Sequence, residues 1–193
     1  MRLTHRQLHD RARRIKLLLM DVDGVLTDGR IYYLPAPDPR HTRGLAKDDR
    51  PVFETKTFHS RDGLGIRLAQ QAGLRTGVIS GRKTPVVQYR VEELGIDFIE
   101  QHCFQKLEPY QKILHAANLA DEETCYIGDD IVDLPILKRV GFAVGVANGH
   151  PLLRKYVHYV TRAEGGMGAV RETIELILAA QGKFDAILQH YLK

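Results

Sequence analysis

Two aspartates, Asp21 and Asp23, directly follow the short apolar run Leu17–Met20 near the start of the chain. Residues two apart in an extended segment face the same way, so both carboxylates are expected to face one site. One carboxylate can attack phosphorus to form an aspartyl-phosphate, which divides one difficult displacement into two easier ones. The other can protonate the leaving oxygen and then deprotonate the attacking water. The spacing therefore predicts phosphoryl transfer, with Asp21 as the nucleophile and Asp23 as the general acid and base.

Further polar groups follow later apolar runs of the chain, where predicted strands end. They are Ser80-Gly81-Arg82-Lys83, then Lys106, and then Gly128-Asp129-Asp130 with Asp133. In an open α/β sheet, ligands bind outside the carboxyl ends of the strands, so these groups are expected to meet at one edge. Ser80 and Lys106 are predicted to hold the transferring oxygens and to offset their charge. Each motif alone is also typical of a turn or a helix cap; their order at successive strand ends favours a site.

The acidic groups and a phosphate can share one site only when a cation offsets their repulsion. Oxygen ligands from Asp21, Asp129 and a backbone carbonyl, that of Val22 or of Asp23, suit octahedral Mg²⁺. Waters and a phosphate oxygen are expected to complete its coordination. Gly24 lets the backbone turn sharply beneath the phosphate. The sequence therefore predicts Mg²⁺ as the cofactor.

The elements that must position these groups are short apolar runs that alternate with helical segments. The runs cover residues 17–20, 74–79, 96–99, 125–127, 142–146 and 156–160. Asp62 is predicted to cap a helix that ends near Gln71, and Thr84-Pro85 begins another that Gly95 ends. Such alternation predicts an α/β fold, a doubly wound, Rossmann-like parallel sheet with helices on both faces, in a single domain over residues 1–193.

Residues 25–58 interrupt this alternation. Segments 31–34 and 52–58 have the composition of two antiparallel strands, and the stretch Pro35–Arg50 between them is rich in proline and charge. That composition predicts an exposed loop. A hairpin inserted directly after the first strand projects over the carboxyl end of that strand. The segment is therefore predicted to be a small β-hairpin flap over the site.

Composition excludes several classes of protein. The 193 residues include 28 Lys and Arg against 24 Asp and Glu, a net charge of +4 that suits a small anionic substrate but not a nucleic-acid partner. Its 2 cysteines make neither a disulfide framework nor a zinc site, which favours the reducing cytoplasm. The first apolar run is too short for a signal sequence or a membrane span, so a soluble, cytoplasmic protein without a membrane partner is expected.

At the residues described above, the sequence resembles the haloacid dehalogenase superfamily of phosphatases. The four parts of that signature appear as Asp21–Thr27, Ser80, Lys106 and Gly128–Asp133. The resemblance implies the same catalytic, phosphate-binding and magnesium-binding roles as the spacing predicts. It also implies supporting roles for Gly24, Thr27, Asp130 and Asp133.

Within the superfamily, the sequence resembles the 3-deoxy-D-manno-octulosonate 8-phosphate phosphatases. The segments that carry this resemblance are 21–33, 61–66, 80–83, 150–153 and 160–172. It implies hydrolysis of a sugar-acid phosphomonoester during lipopolysaccharide precursor synthesis. It also implies a homotetramer whose subunits close each other's sites in place of a large cap domain. A sugar acid carries a carboxylate beside its phosphate, so Arg61 and Arg82 are the candidate substrate contacts.

Two features depart from the pattern of that family. The Pro35–Arg50 loop is longer than the expected connection of the hairpin. Met167 stands where an arginine is common in the glycine-rich segment near the C-terminus, which leaves open any charged contact made there.

Three alternatives remain at this level. The first is a phosphatase of the same fold that acts on a nine-carbon, sialic-acid-type sugar phosphate. The second is a non-catalytic phosphoacceptor domain, although such domains usually carry the acceptor aspartate on the third strand, which has none here. The third is a scaffold subunit without turnover, which no residue specifically supports.

Overall fold

A six-stranded parallel sheet forms the centre of the protein, whose computed structural model describes residues 3–35 and 52–192. In spatial order, its strands are β5 (Phe98–Glu100), β4 (Arg75–Ile79), β1 (Leu17–Met20), β6 (Thr124–Gly128), β7 (Phe142–Gly145) and β8 (Tyr159–Val160). All neighbouring strands run parallel, so their carboxyl ends share one edge. The predicted doubly wound α/β fold is confirmed.

Strand β1 lies in the middle of the sheet and is buried on both faces. Leu18 and Met20 belong to the core on one face, and Leu17 and Leu19 to the core on the other. A strand covered on both sides needs an uninterrupted apolar run, which is what the sequence provides. The last predicted strand is shorter than expected, because the amides of Tyr156 and Val157 bond back to the Leu153 carbonyl of the preceding 3₁₀ turn.

Seven α-helices cover the two faces of the sheet in the described part of the chain. They are α1 (His5–Ala12), α2 (Ser60–Gln71), α3 (Pro85–Leu94), α4 (Leu107–Ala117), α5 (Leu134–Leu137), α6 (Ala169–Ala180) and α7 (Phe184–Tyr191). Helices α1, α2, α3 and α6 pack on one face, and α4 and α5 pack on the other. Among these helices, none combines the length and the apolar character that crossing a bilayer requires.

The predicted ends of α3 are confirmed. Thr84 accepts a hydrogen bond from the Val87 amide at 3.4 Å, and Pro85 occupies the first helical position. At the other end, Gly95 has a φ of +65°, the left-handed conformation that commonly ends a helix.

The predicted role of Asp62 as the cap of α2 is wrong. The helix begins earlier because His59 Nδ1 accepts from the Arg61 amide at 3.1 Å and so supplies the cap. Asp62 is buried and accepts instead from the amides of Gly168 (3.1 Å) and Arg171 (2.8 Å) at the start of α6. Burial raises the pKa of Asp62 against the opposing effect of these hydrogen bonds. The carboxylate thus joins α2 to α6.

A separate two-stranded hairpin follows the first strand, as predicted. Its strands are β2 (Tyr32–Pro35) and β3 (Val52–Thr55), which run antiparallel with Tyr32 opposite Thr55. In the part of the chain that the structure describes, no large cap domain accompanies this flap. The predicted exposed loop Pro35–Arg50 lies, apart from its first residue, outside the described residues.

Candidate active site

The loop after β1 carries the predicted nucleophile. Asp21 Oδ1 accepts a hydrogen bond from the Val22 amide at 2.7 Å. Gly24 has a φ of +92°, and a Cβ built on it would lie 2.6 Å from Asp129 Cγ. Thr27 Oγ1 donates to the Val22 carbonyl at 3.2 Å and accepts from the Gly24 amide at 3.4 Å. Gly24 and Thr27 therefore set the shape of the loop that presents Asp21.

The Val22 carbonyl is already satisfied within this loop. It accepts from the Thr27 amide at 2.9 Å and from Thr27 Oγ1 at 3.2 Å. A carbonyl oxygen has two lone pairs, so both are engaged by protein donors. Of the two backbone carbonyls predicted as alternative metal ligands, the geometry therefore favours that of Asp23 over that of Val22.

Lys106 lies between two carboxylates just before α4. Its Nζ is 2.8 Å from Asp21 Oδ2 and 2.7 Å from Asp133 Oδ1, and its side chain is only 2% exposed. Burial alone would lower the pKa of Lys106, but the two carboxylates outweigh it and raise that pKa. The ammonium therefore stays charged and attracts the anionic groups around it.

Asp133 is buried and stabilises this edge of the sheet through its hydrogen bonds. Its Oδ1 accepts from Lys106 Nζ and from the Tyr126 hydroxyl, both at 2.7 Å. Its Oδ2 accepts from the amides of Asp129 (3.0 Å) and Asp130 (3.3 Å). Both carboxylate oxygens thus have donors, and they hold the loop after β6. Sequence reasoning missed Tyr126, because it lies within an apolar run that predicts only a buried strand.

Asp21, Asp129 and Asp133 form a cluster that fits a cation. One carboxylate oxygen from each lies within 4.8 Å of the others. Burial, reinforced by the charges of Asp21 and Asp133, raises the pKa of Asp129 to about 8. Burial also raises the pKa of Asp21 to about 6, against the attraction of Lys106. A bound cation lowers such pKa values because it favours the ionised form.

Within this cluster, Asp129 is the carboxylate with free coordinating capacity. Its Oδ1 is buried without a hydrogen-bond partner among the described residues. An unpaired buried carboxylate oxygen is costly unless a metal or a donor satisfies it. Asp133 already has its donors, so Asp21 and Asp129 are the residues that fit a hard, oxygen-binding cation.

A cavity of about 210 Å³ opens at the carboxyl ends of the strands. It is lined by Asp21, Asp23, Gly81, Arg82, Cys103, Phe104, Lys106, Asp129, Asp130 and Val132. Six of the twelve predicted site residues therefore face one space. Ser80 is buried and is not among the described residues that line the cavity; it precedes Gly81 and Arg82 of the lining, and its Oγ accepts from the Arg82 amide at 3.2 Å.

Arg61 is placed differently from Arg82. It is exposed at the start of α2, where its Nη2 lies 3.4 Å from His59 Nε2. Arg82 lines the cavity, whereas Arg61 is not among the described residues that do so. The two predicted substrate contacts are therefore not brought together within this chain.

Comparison with known proteins identifies the family of this chain. A family model described as haloacid dehalogenase-like hydrolase matches residues 96–172. The 3-deoxy-D-manno-octulosonate 8-phosphate phosphatase of Escherichia coli K12 is 41% identical over 175 residues, which cover 91% of this chain and 85% of that protein. The chain belongs to this family of haloacid dehalogenase-like hydrolases.

Two solved structures of this phosphatase family match the whole described fold. The Yersinia pestis 3-deoxy-D-manno-octulosonate 8-phosphate phosphatase is 39% identical, with a TM-score of 0.82 over 93% of this chain and 89% of that one. The enzyme of Moraxella catarrhalis is 37% identical, with a TM-score of 0.86 over 97% and 99% of the two chains. The latter structure contains a magnesium ion, a phosphate ion and a KDO molecule. As a member of this family, the protein is a phosphoric monoester hydrolase.

Two charged residues of the flap were missed by sequence reasoning. The Lys56 side chain is fully buried, and its Nζ pairs with Asp23 Oδ1 and, at 3.0 Å, with Glu54 Oε1. Glu54 also accepts from Arg82 Nε at 3.3 Å. Burial raises the pKa of Glu54, but hydrogen bonds from Arg82 and Lys56 outweigh it and lower that pKa overall. The available signal was the spacing of two opposite charges two residues apart, on one face of a predicted strand.

Proposed function

We propose that this protein hydrolyses 3-deoxy-D-manno-octulosonate 8-phosphate to 3-deoxy-D-manno-octulosonate and phosphate, through an aspartyl-phosphate on Asp21. The observation that carries the proposal is the meeting of Asp21, Lys106 and Asp129 at one cavity. The name of the Escherichia coli relative and the contents of the Moraxella catarrhalis structure support the substrate. In this proposal the substrate phosphate binds the ammonium group of Lys106 and the hydroxyl group of Ser80.

Asp21 is the nucleophile in this proposal. Its Oδ1 is engaged by the Val22 amide, so the carboxylate has a fixed orientation toward the cavity. Lys106 Nζ, 2.8 Å from Asp21 Oδ2, offsets the charge that gathers when the phosphate approaches. Ser80 Oγ accepts from the Arg82 amide, which leaves its hydroxyl proton to donate to a phosphate oxygen.

The proposed cofactor is Mg²⁺, held by Asp21, Asp129 and the Asp23 carbonyl. The unpartnered Oδ1 of Asp129 and the raised pKa values of Asp129 and Asp21 support this ligand set. When bound, Mg²⁺ neutralises the repulsion between the attacking carboxylate and the phosphate. Asp133 and Asp130 support this set from the loop after β6, where Asp130 accepts from the Ile131 amide at 2.7 Å.

Asp23 is the proposed general acid and base. As the bond between phosphorus and the leaving oxygen breaks, the carboxyl proton of Asp23 passes to that oxygen. The resulting carboxylate then removes a proton from the water that attacks the aspartyl-phosphate, which releases phosphate and regenerates Asp21. The place of Asp23 in the lining of the cavity supports this role.

The sugar-acid carboxylate is assigned to Arg82 ahead of Arg61. Arg82 lines the cavity, and because its Nε and Nη2 pair with Glu54, the Nη1 hydrogens are the donors assigned to the sugar-acid carboxylate. Arg61 stays a candidate contact of the same kind, at the start of α2.

The proposal includes a cytoplasmic homotetramer built from one phosphatase domain per chain, over residues 1–193. Exposed apolar side chains support association: Tyr33 and Leu34 of the flap are 60% and 43% exposed, and Phe104 at the cavity is 74% exposed. Apolar surface of this kind commonly marks a contact between chains. Light scattering on the purified protein would test the tetramer directly.

A panel of phosphate esters with added Mg²⁺ tests the proposed activity. We expect the highest kcat/KM for the eight-carbon sugar-acid phosphate, measured by phosphate release. Preference for a nine-carbon, sialic-acid-type phosphate would change the assigned substrate but not the proposed mechanism. Equal turnover of every phosphomonoester would contradict the sugar-acid assignment, and an Asp21 phosphorylated for hours without phosphate release would indicate a phosphoacceptor domain instead.

A further inference from the structure

The flap contains a buried ammonium group that pairs with Asp23, a residue of the cavity lining. The side chain of Lys56 is fully buried, whereas that of Asp23, its partner, is 21% exposed. A buried lysine is costly unless carboxylates pair with it, and Lys56 has two such partners, Asp23 and Glu54. These two carboxylates therefore determine the position of the Lys56 ammonium group.

Glu54 fixes Lys56 from the other side. Its carboxylate lies 3.0 Å from Lys56 Nζ and also accepts from Arg82 Nε at 3.3 Å. Arg82 belongs to the turn after β4, which is part of the sheet edge rather than of the flap. The ion pairs thus form a continuous chain from Arg82 through Glu54 and Lys56 to Asp23.

Lys56 contacts only one of the two carboxyl oxygens of Asp23. Lys56 binds Oδ1, which leaves Oδ2 to carry the proton that moves to the leaving oxygen. A partly exposed aspartate without such a contact can rotate among several side-chain orientations. The contact selects one of them, and it comes from a different element than the loop that carries Asp23.

We propose that Lys56 is a positioning residue, which holds Asp23 toward the leaving oxygen while Glu54 holds Lys56. This inference rests on the proposed phosphatase mechanism. Lys56 does not itself touch the reacting atoms. Its contribution is therefore made through Asp23, first in the proton transfer to the leaving oxygen and then in the removal of a proton from water.

This role has a signature that general damage to the fold does not share. The alkoxide of a sugar phosphate leaves poorly unless Asp23 protonates it, whereas the phenolate of p-nitrophenyl phosphate leaves without a proton. Loss of positioned acid catalysis therefore slows the sugar ester much more than the aryl ester. A distorted site slows both.

The experiment compares Lys56→Met, Lys56→Arg and Glu54→Gln with the wild type, using full-length protein and saturating Mg²⁺. We expect Lys56→Met to lower kcat/KM, which reports the steps up to departure of the leaving group, by roughly 100-fold for the sugar-acid phosphate and by less than about tenfold for p-nitrophenyl phosphate. Lys56→Arg should restore part of the lost kcat/KM, and Glu54→Gln should lie between Lys56→Met and the wild type. Lys112→Met, on the exposed side of α4, is the matched control.

A double-variant cycle distinguishes an effect through Asp23 from a general effect on folding. If Lys56 acts through Asp23, adding Lys56→Met to Asp23→Asn should cause no further loss with the sugar ester. A further loss there, or equal losses on both esters with Lys56→Met alone, would overturn the inference while leaving the proposed function intact. A wild-type protein that releases phosphate from neither ester would instead contradict the proposed function, and the inference with it.

Discussion

The main chain of Gly24 lies against the carboxylate of Asp129, so closely that a Cβ at residue 24 would be 2.6 Å from Asp129 Cγ. These residues belong to the loops after β1 and β6, which are neighbouring strands of the sheet. The loop that carries the proposed nucleophile and the loop that carries the proposed cation ligand therefore fit together only with glycine at this position.

Replacing Gly24 with alanine should disturb the metal site. The left-handed φ of +92° makes the substitution strained, and the clash with Asp129 adds to it. We expect about 1–3 kcal/mol of destabilisation and a higher Mg²⁺ concentration at half-maximal activity, measured by thermal unfolding and phosphate release. Gly73→Ala is the control, because Gly73 has a φ of +86° and a Cβ added there would meet nothing within 4 Å. An unchanged Mg²⁺ requirement in Gly24→Ala would contradict this view of the loop.

Replacing Asp21 with asparagine should abolish phosphate release without unfolding the protein. The side chains have nearly the same shape, and Lys106 keeps its ion pair with Asp133 at 2.7 Å. An amide cannot form the aspartyl-phosphate, so the loss follows from chemistry rather than from packing. The measurement is phosphate release beside a thermal melt, with Asp185→Asn on exposed α7 as the control. If Asp21→Asn keeps most of its activity, the proposed mechanism is wrong.

The groups that meet at the strand ends were predictable because parallel strands bring their carboxyl ends to one edge. The apolar run before each of Asp21, Ser80 and Asp129 identified a strand, and the fold then placed the residues that follow it together. No knowledge of side-chain orientation was needed. The same reasoning predicted the antiparallel hairpin from its composition.

The contacts that were missed depend on how separate elements lie against each other. The local sequence predicts that Asp62 caps the helix that follows it, whereas its carboxylate accepts hydrogen bonds from two amides at the distant start of α6. Lys56 reaches Asp23 across 33 positions of the chain, because the flap returns to the loop after β1. The carbonyl of Val22 is occupied because of the rotamer of Thr27. Local sequence patterns carry none of these relationships.

Above about pH 6.5, the stability of the metal-free protein should fall as pH rises. The pKa of Asp129 is 3.8 in an ordinary setting and about 8 in the fold, so between these values the folded protein binds a proton that the unfolded chain has released. Unfolding then becomes easier with increasing pH, by up to about 1.4 kcal/mol per pH unit for one proton. Burial lowers the pKa of His158 to about 4, which acts in the opposite direction below its ordinary pKa of 6.5, so thermal unfolding in a chelator from pH 6.5 to about pH 8 measures this slope.

Added Mg²⁺ should reverse that trend, because it binds the ionised carboxylates. We expect a larger increase in Tm from Mg²⁺ at pH 8 than at pH 5. Asp129→Asn should flatten the pH slope and remove most of the Mg²⁺ effect. A Tm that responds equally to Mg²⁺ at both pH values would contradict the assignment of Asp129 as a ligand.

Replacing Asp133 with asparagine should lower the stability of the protein more than the same replacement of any other acidic residue of the site. Its carboxylate is fully buried and accepts from Lys106, Tyr126 and two backbone amides. An asparagine NH₂ placed in the position of Oδ2 would face the amide donors, and Lys106 would lose one of its two ionic partners. Breaking a buried pair of this kind typically costs about 3–5 kcal/mol.

Asp130→Asn is the matched control for Asp133→Asn, because the Asp130 side chain is exposed and caps only the short turn Ile131–Asp133. We expect the control to change stability by less than about 1 kcal/mol, which is the usual effect of weakening one exposed cap. Chemical denaturation of both variants measures the difference, and phosphate release shows whether Lys106 is still held. Equal stability of the two variants would mean that Asp133 does not support this edge of the sheet.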